Sequence, residues 1–241
     1  MHRSLIAAGL GFTLLSAAAL SHAACISLAT PNVAYVQDFN TLSNVAGSTT
    51  NTLAIPGWFL TESGGGARDN EEYSVDTGAS TVGDSYSYGA AGSTERALGS
   101  VRSGTLIPVF GACFTNDTGT AITKLLIAYT GEQWRLGSAG RTDELDFQYS
   151  TDATDLTTGN WTAVPALNFV TLDTVTVGAK DGNAAAERSA ITSTIAPVGI
   201  ATGATFWIRW VDTDASGADD GLAIDDFALT SVDIIFADGF E

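Results

Sequence analysis

The 241-residue chain carries 27 acidic against 10 basic residues, a formal net charge of −17 at pH 7, with 26 glycines and only 5 prolines. So acidic a surface repels nucleic-acid phosphates and attracts divalent cations, which excludes nucleic acid as a partner and leaves acidic polysaccharide dependent on a metal bridge. Acidity is equally the ordinary means by which a secreted domain stays soluble.

The first 23 residues read as a secretory signal peptide: a basic start at His2 and Arg3, an apolar run from Leu5 to Leu20, and a small-residue exit at Ser21-His22-Ala23. Cys25 follows closely, but His22 stands where a lipobox needs leucine, so cleavage without lipidation is expected. Both histidines of the chain, His2 and His22, leave with that leader. This removes a Ser-His-Asp triad, a Cys-His pair, a His-ligated zinc and an imidazole base from the mature chain. No later stretch approaches the ~20 apolar residues of a membrane span. The two cysteines, Cys25 and Cys113, are expected to pair in an oxidising compartment, the alternative being two separate buried thiols.

Ala34–Asn40 is the first candidate strand, followed by a Ser/Thr/Asn-rich loop to Ile55-Pro56-Gly57 and a second strand from Trp58. Thr61–Asp69 holds three consecutive glycines but no following Gly-Lys-Ser/Thr, so it reads as a loop and not a phosphate cradle. Asp84–Gly89 and Glu95–Val101 are short strands, with Arg96 a candidate to pair a carboxylate across the sheet. Thr105–Thr115 and Ile122–Tyr129 are continuous apolar runs, and Asn116-Asp117-Thr118-Gly119 between them has hairpin chemistry. Glu144–Tyr149 alternates, Trp161–Val164 is short, Ala179–Arg188 is one helical turn or a long loop, and Ile191–Ile195 alternates again. Strands at this spacing predict a single all-β antiparallel sandwich or jelly roll.

The organising stretch is Ala204–Thr230. Phe206, Ile208 and Trp210 share one strand face, and Trp207, Arg209 and Val211 the other. In the next strand Leu222, Ile224 and Ala228 alternate with Ala223, Phe227 and Leu229, so the two strands are expected to lie together at the centre of a sheet. Between and beside them stand Asp212, Asp214, Asp219, Asp220, Asp225 and Asp226, which repel one another unless water or a cation intervenes.

Five segments in fixed order, TGEQWR (130–135), LDFQYS (145–150), DGNAAAER (181–188), FWIRWVDTD (206–214) and GLAIDDFALT (221–230), resemble a family of secreted bacterial jelly-roll domains. Domains of that kind are non-catalytic modules at the N-terminus of extracellular nucleases, lamin-tail proteins and exported proteins with C-terminal sorting signals. The resemblance spans residues 35–230 and implies a module, not an activity, because such domains ride on unrelated proteins. Many relatives carry histidine where this chain has Asp220. The ending Ile234–Glu241 resembles a short tail on secreted proteins of some Gram-negative bacteria.

The expected organisation is thus a signal peptide over 1–23, a jelly-roll domain over 24–231 and a tail over 232–241, in a protein secreted to the periplasm or outer surface of a Gram-negative bacterium. Jelly-roll modules of carbohydrate-binding type often tie their first and last strands with a structural Ca²⁺. Asp38 near the start and Asp225 or Asp226 near the end are the candidate ligands, with Asp212 beside them. Oxygen-only ligation suits calcium over zinc or copper. The loop DTDASGADDG lacks the terminal glutamate of an EF-hand. Trp161, after a polar loop, is the candidate ligand-contacting aromatic, with core packing the alternative. The expected function is a surface- or matrix-associated binding module taking an extracellular glycan or an envelope protein. The alternatives are a carboxylate-dependent hydrolase of glycosidase type and a purely structural envelope protein. For the hydrolase, Glu144, Asp146 and Gln148 share a strand face, but Gln148 cannot serve as the proton donor.

Overall fold

A computed structural model describes residues 24–232. The expected leader 1–23 and the tail after Val232 lie outside the described residues. The strands in chain order are β1 (Ile26–Leu28), β2 (Ala34–Gln37), β3 (Trp58–Ser63), β4 (Tyr73–Asp76), β5 (Asp84–Tyr88), β6 (Ala97–Val101), β7 (Ile107–Asn116) and β8 (Lys124–Leu136). They continue with β9 (Glu144–Ser150), β10 (Thr162–Ala163), β11 (Phe169–Val170), β12 (Gly178–Ala179), β13 (Arg188–Ile195), β14 (Thr205–Asp212) and β15 (Gly221–Val232). A short 3-10 turn at Pro165–Leu167 is the one helical element among the described residues. No described helix is long and apolar enough to cross a membrane.

The strands form two sheets, as an all-β sandwich requires. Sheet A runs β1-β7-β14-β9-β10, with β3 also on β7 and β11 also on β9; sheet B runs β12-β8-β15-β6-β5-β4, with β13 also on β8 and β2 also on β15. Pairing is antiparallel except for β1 with β7 and β4 with β5. The main core lies between the sheets, where inward residues of β14 (Phe206, Ile208, Trp210) meet those of β8 (Leu125, Ile127, Tyr129) and β15. Gly131 completes that inner face of β8 because a Cβ there would come within 2.2 Å of the Phe169 ring.

Three expectations are corrected. β14 and β15 do not pair: β14 is central in sheet A between β7 and β9, and β15 is central in sheet B against β8, β6 and β2. β7 and β8 likewise belong to opposite sheets, so Asn116–Gly119 is a crossover and not a hairpin turn. In β15 the register slips between Asp225 and Ala228, and Asp226 takes φ 50°. That bulge adds one residue to the strand, so Leu222, Ile224, Phe227 and Leu229 all face the same core. Asp225 and Asp226 therefore both fall outside it, where strict alternation would have sent one of them inward.

Cys25 and Cys113 are joined, with Cα atoms 4.7 Å apart. Arg96 pairs no carboxylate: it is buried, its Nε donates to Ser87 Oγ at 2.8 Å, and Nη2 donates to the Ser87 carbonyl.

Candidate functional site

Outside the main core, the outer face of sheet B carries a second cluster of Tyr86, Tyr88, Ala97, Val101, Trp134 and Ala223. Trp134 stacks on Tyr88 with ring centroids 5.7 Å apart. The DGN turn lies on the indole, since a Cβ on Gly182 would come within 2.4 Å of it. Lys180 N–H donates to the Trp134 carbonyl at 2.7 Å, and the Gln133 N–H to the Glu187 carbonyl at 2.8 Å, which fastens this loop to β8.

At one margin of that covered patch stand three carboxylates. Glu132 lies two residues from Trp134, and Asp225 two residues from Ala223, which pairs with Glu132; both acids therefore share the outer face. Glu95 joins them from the loop before β6, and ligand oxygens of all three lie within 4.8 Å of one another. The Trp134 indole N–H donates to Glu132 Oε2 at 2.9 Å, and Asn183 Nδ2 donates to Glu95 Oε2. Burial pushes Glu132 up to about 8, the indole opposing the rise and Glu95 adding to it. Burial likewise pushes Asp225 up to about 9, a hydrogen bond from the Asp226 backbone N–H opposing and Glu132, Asp226 and Glu95 adding.

A carboxyl whose folded value is raised binds its proton more tightly folded than unfolded, so its stabilising contribution is full at low pH and declines above the unfolded value near 4. Between about pH 4 and 9 the chelated protein is expected to lose stability as pH rises, and Glu132→Gln is expected to flatten that fall. Asp84, raised by burial to about 7, and Asp143, raised by burial to about 6, act in the same direction. Thermal melts in chelator at pH 5, 7 and 9 check it; a midpoint that climbs across this range contradicts it.

Of the sequence-predicted ligands, Asp38 and Asp226 line one cavity of about 350 Å³ with Val36, Gln37 and Phe227, because β2 pairs with β15 through Gln37 and Phe227. The strand ends thus meet as expected. Asp225 turns instead to Glu95 and Glu132. Asp212 does not join either group: it ends β14 in sheet A, fully buried, accepting from Ser100 Oγ at 2.7 Å. Burial and the neighbouring Asp143 push it well above the carboxylate range.

The remaining loop acids are satisfied by protein groups. Arg141 pairs Asp143 at 3.5 Å and Asp220 at 3.3 Å, and Asp220 also accepts from Gly137 N–H at 2.7 Å and Thr171 Oγ1 at 2.6 Å. Asp219 accepts from Ala215 N–H at 3.0 Å. Where a cation or water was expected between these acids, arginine and backbone N–H groups relieve the repulsion.

Trp161 is half-buried, packed on a third cluster on the outer face of sheet A that includes Cys113, Ala153, Leu156 and Trp207. Its Nε1 donates to the Thr158 carbonyl at 2.8 Å, and the Arg209 guanidinium covers its ring at 3.9 Å. Phe59, half-buried like Trp161, lies on the same cluster, tilted against Trp207 at 5.0 Å. Together with Leu60, Thr61, Asp155, Leu156 and Thr157 the Phe59 and Trp207 rings line a cleft of about 140 Å³. Glu144, Asp146 and Gln148 also lie on β9, where Gln148 Oε1 accepts from Arg209 Nε at 2.9 Å and Nη2 at 2.6 Å, and Asp146 accepts from Asn168 Nδ2 at 2.5 Å.

No protein-family model matches the chain, and no curated protein matches it. Solved structures that it matches include the K1 cleaved adhesin domain of Lys-gingipain from Porphyromonas gingivalis W83, at 12% identity over 83% of this chain and 99% of that one with a TM-score of 0.43. They also include the family 11 carbohydrate-binding module of Clostridium thermocellum in complex with a β-1,3-1,4-mixed-linked tetrasaccharide, at 10% identity over 79% and 94% with a TM-score of 0.35. A third is TmCBM61 in complex with β-1,4-galactotriose, at 15% identity over 58% and 74% with a TM-score of 0.33. At such identities and TM-scores no ligand or activity passes from these proteins to this one.

Proposed function

We propose that the chain is a secreted, non-catalytic β-sandwich module that binds an extracellular glycan through the cleft beside Phe59. The observation that carries this reading is the chemistry of that cleft. It has an aromatic floor of Phe59 and Trp207, with a rim of Thr61, Thr157 and Asp155. A pyranose offers an apolar C–H face to aromatic rings and hydroxyls to carboxylate and threonine oxygens, so the two surfaces are complementary. The cleft is smaller than the ~300–1,000 Å³ of a site that engulfs a drug-sized ligand, which fits one sugar of a longer chain docked along the sheet. A hydrolase built on Glu144 and Asp146 finds an amide bound to Arg209 at the third position, and a purely structural role leaves the cleft without use.

Affinity electrophoresis against a panel of soluble neutral polysaccharides tests the reading. At least one should retard the protein, and Phe59→Ala should weaken that retardation about tenfold, one hot-spot aromatic being worth this order. A panel that leaves mobility unchanged throughout rejects it.

Calcium between the end of β2 and β15 belongs to the same reading, supported by the shared cavity of Asp38 and Asp226. Asp38→Asn should then narrow the difference between melting midpoints in calcium and in chelator.

A further inference from the structure

Glu95, Glu132 and Asp225 come from a loop, from β8 and from β15, separated widely in sequence, yet their oxygens gather within 4.8 Å. Asp225 is 6% exposed and its Oδ1 accepts no hydrogen bond; Glu95 Oε1 is likewise buried without a partner. None of the ion pairs among the described residues reaches any of the three. Arg188 stands across the ladder from Glu132 but is exposed, and Asp226 beside the group adds a fourth negative charge at its solvent edge. Buried carboxylates left this way cost free energy that only a proton or a cation removes.

We propose that these three side chains form a calcium-type divalent cation site, distinct from the Asp38–Asp226 pair and independent of the glycan reading. The donors are all carboxylate oxygens, which suits a hard cation. Magnesium dehydrates reluctantly and keeps several of its waters, so a set of carboxylates with buried oxygens favours calcium over it. Half-buried Glu95 and exposed Asp226 give the ion a route from solvent. Once bound, it ties the β15 bulge to β8 and to the loop before β6. Through the Asn183 bond to Glu95 it also holds the DGNAAAER loop over Trp134. These are the roles the structure assigns to Glu132 in TGEQWR, Asn183 in DGNAAAER and the first aspartate of GLAIDDF.

The position of Trp134 supplies the test. Its indole is bonded to a proposed ligand at 2.9 Å, so it should sensitise the luminescence of Tb³⁺, a calcium surrogate, bound there. Titration of the full chain with Tb³⁺ should give saturable indole-excited emission that Ca²⁺ displaces. Glu132→Gln and Asp225→Asn should weaken it at least tenfold, and Trp134→Phe should remove most of the emission while calorimetry still records binding. Glu95→Gln, on a half-buried loop, should weaken it too and keeps the test valid if a strand variant misfolds. Asp38→Asn should leave it within twofold of wild type, which separates this site from the strand tie. Emission unchanged in all three ligand variants, or lost only in Asp38→Asn, overturns the proposal.

Discussion

Replacement of Trp210 by alanine is expected to cost about 3–5 kcal/mol, the range for emptying a fully buried large aromatic position. Trp210 has no solvent exposure and sits at the centre of the inter-sheet aromatics. It stacks with Trp58 at 6.1 Å and Phe110 at 5.9 Å, and meets Tyr129, Phe147 and Phe227 edge-on at 5.3, 5.1 and 5.7 Å. Those partners come from both sheets, so no single strand can move in to fill the void. Against a total stability of about 5–15 kcal/mol the loss is a large fraction, roughly 10 °C in melting temperature for a domain of this size. Trp161→Ala, at a half-buried position on the outer face, is the control and should cost far less. Equal losses in the two variants, read by chemical denaturation, would contradict the placement of the core.

The second large effect is expected from the disulfide. Cys25 stands just before β1, a three-residue strand whose sheet partner is β7 alone, and Cys113 lies in β7 one residue before the first paired position, Phe114. The bond closes a sequence separation of 88, for which chain entropy gives about 4.6 kcal/mol. Cys113 is fully buried against Trp207, Ala153 and Leu156, while Cys25 is half-buried, so a reductant attacks the bond from the Cys25 side. The double variant Cys25→Ser, Cys113→Ser should melt well below wild type and be indifferent to dithiothreitol, while wild type should fall toward it when reduced. A wild-type midpoint that stays put after complete reduction, confirmed by thiol titration, would show that the bond adds little.

How far the sequence discloses this molecule depends on whether a feature is local. The faces of β14 are legible because alternation from Phe206 to Val211 is unbroken, and the all-β class follows from strand spacing. The faces of β15 are not, because the bulge inserts one residue. The clue is present only as a three-position gap between Ile224 and Phe227, and a strict period of two misassigns everything after it. Turn chemistry at Asn116–Gly119 is real, but whether a turn closes a hairpin or crosses between sheets is decided by partners far along the chain. That β2 lies beside β15, so that Asp38 and Asp226 line one cavity, follows from ordinary sandwich topology. The gathering of Glu95 and Glu132 around Asp225 does not, since nothing in their spacing announces it. Its faint signal is a glutamate two places before a tryptophan on one strand face. Asp212 was misplaced for the converse reason, because closeness in sequence to Asp225 says nothing of closeness across a two-sheet stack.

The position of β15 also governs the order in which the chain can acquire its shape. It is the last of the described strands, yet β8, β6 and β2 all hydrogen-bond to it, so the two ends of sheet B are bridged only when it arrives. Segments synthesised earlier can form the β5–β6 and β8–β13 ladders, but these stay unjoined until then. Closure over such long stretches of chain places folding in the slow regime of β-sandwiches, milliseconds to seconds. The two halves of sheet B therefore stay unclosed until β15 has been made, whatever sheet A has already formed.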